Sequence, residues 1–208
     1  MNDIATEVYT SVTRFENPWP FYIVDNFLPS NFYNYLVQLM YSSSFSLVDS
    51  YVSAGIVVPQ NIPNCPQKKN LSLYKNENIV NIVDEIIRKR FSNILPKEYY
   101  CLPDLIKCDP GYHYYPHRDH IDKAFSIVVF LYPNDGEATT LISESKQQFN
   151  IHWRPNRAIL FTQKEHGMHT YKNTASRERL TLNVYITLNS GMTFAVNTPI
   201  KVIKPINK

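Results

Sequence analysis

The sequence predicts a mainly β domain with flanking helices, its short antiparallel strands closing into a barrel or sandwich. Three observations carry that prediction. From residue 99 onward the chain breaks into short apolar segments, fairly evenly spaced and mostly separated by turn residues. Ahead of them lie two stretches with apolar residues at helical spacing. Aromatics make up 13% of the chain, with 15 tyrosines against 5 glycines, which suits a packed β-rich domain rather than a disordered chain. A chain of 208 residues buries about 70% of its unfolded surface and needs no staple to fold. We expect a single domain over 1–208, with a helical flank over about 18–98 and a barrel core over about 99–190.

The elements follow in order. Residues 18–28 read as a strand and a turn, because Phe21 to Val24 is aromatic and β-branched. A helix then starts at Pro29-Ser30 with Ser30 as N-cap; Phe32, Tyr35, Leu36, Leu39 and Met40 form its apolar face, and the run Ser42-Ser43-Ser44 ends it. Val52 and Ile56 to Val58 are short strand candidates. Pro59, Pro63 and Pro66, with Asn61 and Asn64, predict an irregular loop, and residues 50–70 are a candidate substrate lid. Residues 77–92 read as a helix, with Ile79, Ile82, Val83, Ile86, Ile87 and Phe91 on the buried side and Asp84, Glu85, Arg88 and Lys89 opposite. Strands are expected at 99–108, 112–118, 125–132, 139–142, 147–153, 157–162, 168–172 and 179–188.

Composition narrows the partners. The formal charge of +3 is too small to argue for nucleic acid, and the basic run Arg88-Lys89-Arg90 suits a helix C-terminus. Cys65, Cys101 and Cys108 are odd in number and lack CxxC spacing, so a reducing, cytoplasmic compartment is expected. Met1 to Phe15 has neither signal-peptide nor transit-peptide character, and no apolar run is long enough to span a membrane. Richness in Asn, Tyr, Ile and Lys with few glycines points to an AT-rich gene, phage or bacterial, with the protein acting in a host cytoplasm.

The chemistry concentrates between His117 and Arg179. His117 and Asp119 are two residues apart, so on a strand they share a face, whereas His120 points the other way. His113 shares the parity of His117 but lies toward the strand's start. Two histidines and a carboxylate can hold a divalent iron and leave its other positions open. Both His166 and His169 are candidates for the second histidine, and periodicity does not choose between them. On the last strand Arg179, Thr181, Asn183 and Tyr185 alternate with Leu180, Leu182, Val184 and Ile186. The apolar set should pack outside the barrel and the polar set should line its mouth. Arg177 falls at the strand's start. Arg179 is therefore the inward guanidinium, and it demands an anionic partner.

Several segments together resemble the Fe(II)/2-oxoglutarate-dependent dioxygenases of the prolyl 4-hydroxylase type. They are Gly111-x-x-x-x-Pro116-His117-x-Asp119, Ser126 to Tyr132, Gly136 to Leu141, Asn156 to Phe161, His169, and Arg179-Leu180-Thr181-Leu182. The match spans about 99–190, and Phe27-Leu28-Pro29 before a helix resembles the family's usual approach to the barrel. HxD alone is weak; HxD, a distal histidine and a basic residue about ten positions later are a strong combination. The resemblance selects His169 over His166. It implies a double-stranded β-helix (a cupin-like jelly roll), with His117, Asp119 and His169 on iron and Arg179 on the distal carboxylate of 2-oxoglutarate. Asp109 and Phe130 stand where some members carry tyrosine, so Tyr115, Tyr132, Thr181 and Asn183 are the candidates to assist Arg179. Only one of the two arginines usual in the DNA-repair branch is suitably placed.

The implied activity is hydroxylation of a C–H bond of a peptide side chain or small molecule. O2 and 2-oxoglutarate are consumed, succinate and CO2 are released, Fe(2+) is the metal and ascorbate a reductant. No membrane or nucleic-acid partner is expected. The competing readings are a non-catalytic jelly-roll module and a cupin-type metalloenzyme that does not use 2-oxoglutarate. Tyr112, Tyr114 and Tyr115 are either a substrate-lining set or cross-strand packing.

Overall fold

The computed structural model describes residues 11–48, 50–53, 56–59, 65–119, 122–136, 139–162, 167–188 and 202–203. Two short strands, β1 (Thr13–Phe15) and β2 (Phe21–Val24), precede helix α1 (Ser30–Ser42). Strands β3 (Ser46–Leu47), β4 (Ser50–Ser53), β5 (Ile56–Pro59) and β6 (Lys68–Ser72) lead to helix α2 (Glu77–Phe91). Then come β7 (Tyr99–Cys108), β8 (His113–His117), β9 (Lys123–Tyr132), β10 (Thr140–Ile142) and β11 (Gln148–Asn150). The last strands are β12 (Ala158–Thr162), β13 (Met168–Lys172), β14 (Arg179–Thr187) and β15 (Val202–Ile203). Every segment expected as a strand between 99 and 188 is one, with ends shifted by only a few residues.

The N-terminal half departs more from expectation. Ser30 is the first helical residue of α1 rather than its cap; Pro29 holds the cap position and offers no side-chain bond. Burial of Phe32, Leu36 and Met40 secures this helix instead. Helix α2 is capped by Asn76, whose Oδ1 accepts from the backbone N–H of Asn78 and Ile79 at 3.1 and 3.3 Å. Asp84, expected on its solvent face, is buried. Its carboxylate accepts from the Tyr99 hydroxyl at 2.5 Å and from Arg88 Nε at 2.7 Å, which lets a charge sit against β7. The end of the expected irregular loop is strand β6, paired along β7 from Lys68–Cys108 to Ser72–Asp104. A long ladder partner there outweighs the local proline and asparagine signals.

Two sheets face each other. The larger runs β1-β2-β12-β9-β14-β7-β6-β3, with β15 also paired to β7; the smaller runs β11-β10-β13-β8. All pairings in both are antiparallel, and together they form a double-stranded β-helix. A separate hairpin of β4 and β5 lies beside β8.

Alternation along the central strand β14 sets which side chains look inward. Leu180, Leu182, Val184 and Ile186 are fully buried on the outer face, in one cluster with α1 and α2 residues such as Leu36, Val83 and Ile87. Each such burial stabilises the register by about 1.5–3 kcal/mol. A one-residue slip would bring these four inside and turn Arg179 out, so the register is strongly specified. A second cluster, with Trp19, Phe21, Phe130, Leu141 and Phe161, fills one end of the space between the sheets. A third, of Ile106, Cys108 and Tyr112 with Tyr114 and Tyr171 packed against it, borders the cavity that the polar groups line.

Two β-bulges redirect side chains in that space. Along β9 and β14, Phe130 pairs with Thr181 but Tyr132 pairs with Leu180, so two steps on β9 match one on β14. Along β8 and β13, Tyr114 pairs with Tyr171 and His117 with His169, so three steps match two. Each extra residue reverses the inward–outward alternation beyond it.

Candidate metal centre

The cavity between the sheets gathers His117 from β8, His169 from β13 and Asp119 from just beyond β8. One ligand atom from each lies within 4.8 Å of the others, a spacing that suits a single ion. His117 and His169 face each other directly across the β8–β13 ladder, with ring centroids 4.2 Å apart. Asp119 lies past the strand's end, so strand parity is not what places it. Its Oδ2 accepts from Ser126 Oγ at 2.5 Å and its Oδ1 from Lys123 Nζ at 2.8 Å. Both donors come from β9 and fix the carboxylate's position.

The protonation states fit a metal. His117 Nδ1 lies 2.9 Å from the Tyr115 carbonyl, and His169 Nδ1 lies 2.9 Å from the Gly167 carbonyl. A carbonyl oxygen only accepts, so each Nδ1 carries the proton and each Nε2 the lone pair. Burial, reinforced by His169, pushes the His117 pKa down to about 3. Burial also lowers that of His169. Both rings are therefore neutral near pH 7 and able to ligate. Burial alone would raise the Asp119 carboxyl, but Lys123, His169 and the Ser126 hydrogen bond hold it well below the usual carboxylate range. Two neutral imidazoles and one carboxylate are the donor set of non-haem iron sites with open positions.

Arg179 closes the other side of the cavity. Its side chain is buried, and Nε has no hydrogen-bond partner among the described residues. Its guanidinium carbon lies 4.0 Å from the centroid of Tyr171 and 5.1 Å from that of Trp153. The Tyr171 hydroxyl is 2.7 Å from Cys108 Sγ. No carboxylate forms an ion pair with Arg179 among the described residues, and burial pulls its pKa down. A buried cation with an orphaned donor, facing a cavity, is built to receive an anion.

No protein-family model and no curated protein matches the sequence. Solved structures do match. A prolyl hydroxylase from Trichoplax adhaerens, in complex with a hypoxia inducible factor oxygen degradation domain peptide fragment, superposes with a TM-score of 0.58 at 20% identity, over 80% of this chain and 83% of its own. A 2OG-Fe(II) oxygenase from Burkholderia pseudomallei gives 0.59 at 12% identity, over 80% and 85%. The viral collagen prolyl hydroxylase of Paramecium Bursaria Chlorella virus-1, as a 2OG complex, gives 0.55 at 15% identity, over 80% and 94%.

The chain has the 2OG-Fe(II) oxygenase fold.

Within this oxygenase fold the residues expected from the sequence divide into two groups. His117, Asp119, His169, Arg179, Thr181 and Asn183 all line one cavity. Thr181 Oγ1 donates to Asn183 Oδ1 at 2.9 Å, which continues the polar row from Arg179 along β14. Tyr115 and Tyr132 do not line it. Tyr115 is 54% exposed and packs on His113, because the β8 bulge turns it outward. Tyr132 is turned by the β9 bulge to the helical face, where its ring meets Tyr41. Arg177 is exposed, as its position before β14 predicts, and His113 is exposed too. His120 and His166 lie outside the described residues, as does part of the lid candidate at 50–70.

The structure adds residues that the sequence reading missed. Tyr171 lies under Arg179 and is two residues from His169 on the same strand, so the i, i+2 rule could have found it. Tyr114, one of the three tyrosines weighed as a substrate-lining set, stacks on Tyr171 at 5.7 Å and meets the His117 ring edge-on at 4.0 Å. Lys123 and Ser126 hold Asp119. Lys68 reaches the cavity from β6, within the segment expected to be a loop.

Proposed function

We propose that the protein is an Fe(II)- and 2-oxoglutarate-dependent oxygenase that hydroxylates a C–H bond of a peptide side chain or small molecule, releasing succinate and CO2. One observation carries the reading: a two-histidine, one-carboxylate cluster shares its cavity with a buried, orphaned arginine. A metal alone would leave Arg179 unexplained, whereas a ligand with a carboxylate at one end and metal-binding oxygens at the other uses both features.

His117 and His169 would hold the metal through Nε2, and Asp119 through a carboxylate oxygen. Iron bound there would supply O2 activation coupled to oxidative decarboxylation of 2-oxoglutarate. The chain's own residues do the rest. Arg179 receives the distal carboxylate of 2-oxoglutarate in a two-point fork. Thr181 and Asn183 line the path between that carboxylate and the metal centre. Tyr171, Trp153 and Phe130 surround the guanidinium, keep water from it and so strengthen its pull on an anion. Ser126 and Lys123 keep Asp119 ionised and aligned. Positioning of this kind sets which bond of a substrate lies near the metal.

The peptide bound by the Trichoplax neighbour and the 2OG bound by the viral neighbour support the class of ligand proposed here. The decisive experiment supplies iron, 2-oxoglutarate and O2 and follows succinate formation, then screens peptides and metabolites by mass spectrometry for a gain of one oxygen. Succinate formation that depends on iron and disappears in Asp119→Ala supports the proposal. Metal binding without any 2-oxoglutarate turnover or binding refutes it and favours a cupin-type enzyme or a binding module.

A further inference from the structure

Besides Arg179, and Lys123 paired with Asp119, a third cation lines the cavity. Lys68 and Arg179 lie on one rung of the larger sheet, because both pair directly with Cys108, Lys68 from β6 and Arg179 from β14. Residues on one rung point to the same side. Each cation sits over its own tyrosine: Arg179 over Tyr171 at 4.0 Å, and Lys68 Nζ over Tyr114 at 4.4 Å. The two tyrosines stack on each other on the facing sheet. Tyr114 also touches the metal-ligand candidate His117, so Lys68 stands on the metal side of the pair.

Lys68 is partly buried, and among the described residues its Nζ forms no hydrogen bond and no ion pair. None of the nearby carboxylates among the described residues pairs with it. Asp119 is bonded to Lys123 and Ser126, and Asp104, whose Oδ1 is itself without a hydrogen-bond partner among the described residues, forms no ion pair with Lys68. Asp109 takes Lys69, whose side chain points to the other face of β6. Burial also pulls the Lys68 pKa down, the sign of an ammonium stripped of water and not yet compensated. An aromatic face stabilises such a cation only in part.

Building on the function proposed above, 2-oxoglutarate accounts for one anionic end at Arg179 and the other at the metal. Lys68 is left over. We infer that Lys68 binds a carboxylate of the molecule being oxidised, so that the substrate is an acid: an amino acid or peptide with a free α-carboxylate, or a peptide with an acidic side chain. A lysine suits this task as a point charge on a flexible stem, since it tolerates variation in how the carboxylate arrives. Carboxylate recognition next to the metal would also fix which carbon of the substrate faces it.

The test uses the full chain loaded with Mn(II) and saturated with 2-oxoglutarate, without O2. N-acetyl amino acids with a free α-carboxylate, their α-amides, and the α-amides of N-acetyl-aspartate and N-acetyl-glutamate are titrated and followed by NMR. The α-acids probe a main-chain carboxylate, and the acidic α-amides probe a side-chain one. We expect one of these two arms to bind about tenfold or more tightly than the matching neutral amides. That preference should vanish in Lys68→Met and persist in Lys68→Arg, with 2-oxoglutarate affinity unchanged within about twofold. Equal binding of acids and neutral amides by the wild-type protein overturns the inference. So does a loss of 2-oxoglutarate affinity in a folded Lys68→Met, which would assign Lys68 to the cosubstrate. Failure of the wild-type protein to bind 2-oxoglutarate refutes instead the function on which the inference rests, and is read in the first titration.

Discussion

Replacing Arg179 tests the cosubstrate site through two readouts that move in opposite directions. In Arg179→Lys the charge remains but the planar fork is lost, so one of two hydrogen bonds to the distal carboxylate disappears. A charge-assisted hydrogen bond contributes about 1.5–3 kcal/mol, so affinity for 2-oxoglutarate should fall about 10- to 150-fold. Arg179→Met removes both bonds and the charge, and binding should become undetectable. Stability of the free protein should respond the other way. The guanidinium is buried with an orphaned Nε, and leaving such a donor unsatisfied costs about 1–3 kcal/mol. Methionine fills the same space against Tyr171 and Trp153 without that penalty. Loss of the cation–π contact at 4.0 Å offsets part of the gain. A net stabilisation on the order of 1 kcal/mol remains, which in a domain of this size raises Tm by about 2–4 °C. Calorimetric titration of 2-oxoglutarate into the Mn(II)-loaded, oxygen-free protein gives the affinity, and thermal unfolding of the metal-free protein gives the stability. Mn(II) affinity should be unchanged, since Arg179 is not a ligand. Equal 2-oxoglutarate affinity in wild type and Arg179→Met would refute the cosubstrate assignment and, with it, the reason offered for keeping a costly arginine in the core.

Four further outcomes are expected. Ser126→Ala should weaken Mn(II) binding about tenfold, since it removes a donor that orients Asp119, and a calorimetric titration reads the change. Tyr99→Phe should destabilise the fold by about 1–3 kcal/mol in urea unfolding, because the buried Asp84 carboxyl group loses the hydroxyl donor at 2.5 Å. Burial raises Asp104 to a pKa of about 7, above its unfolded value of 3.8, so its contribution is fully favourable only at low pH and is lost as pH rises through 7. Asp104→Asn cannot ionise, and its stability should gain on wild type by up to about 1.4 kcal/mol per pH unit between about pH 4 and pH 7, then level off; a parallel pair of pH profiles would contradict this. The hairpin of β4 and β5 lies beside β8, which carries His117, and we propose that it walls the substrate path. Limited proteolysis at 50–70 should slow when substrate, rather than 2-oxoglutarate alone, is bound, and unchanged cleavage would remove that role.

Much of this protein was legible in the sequence because its strongest signals are local. Alternation along residues 179–187 separates Leu180, Leu182, Val184 and Ile186 from Arg179, Thr181 and Asn183, and the structure divides them in the same way, helices on one side and cavity on the other. A strand has a period of two wherever it lies, so its faces can be read without knowing its neighbours. The spacing of His117 and Asp119, the distal His169 and the later arginine likewise survive as a pattern along the chain. What failed depends on neighbours. Tyr115 and Tyr132 were named as candidates to assist Arg179, but a bulge in β8 and another in β9 insert one residue each and turn both away from the cavity, and a bulge is set by pairing with the adjacent strand. Asp84 looked like a solvent-facing residue until Tyr99 and Arg88 arrived to satisfy it. Lys68 was hidden in a segment with loop composition, which becomes a strand because β7 offers an open edge. Its place beside Arg179 exists only because two strands far apart in sequence pair with the same cysteine. The sequence by itself determined the strands from residue 99 onward and the two faces of β14, since these rest on periodicity within one strand, and its resemblance to a known family supplied the metal-ligand candidates. Only the tertiary structure decided which cations share the cavity and which aromatic rings they stand on, since those contacts form between strands.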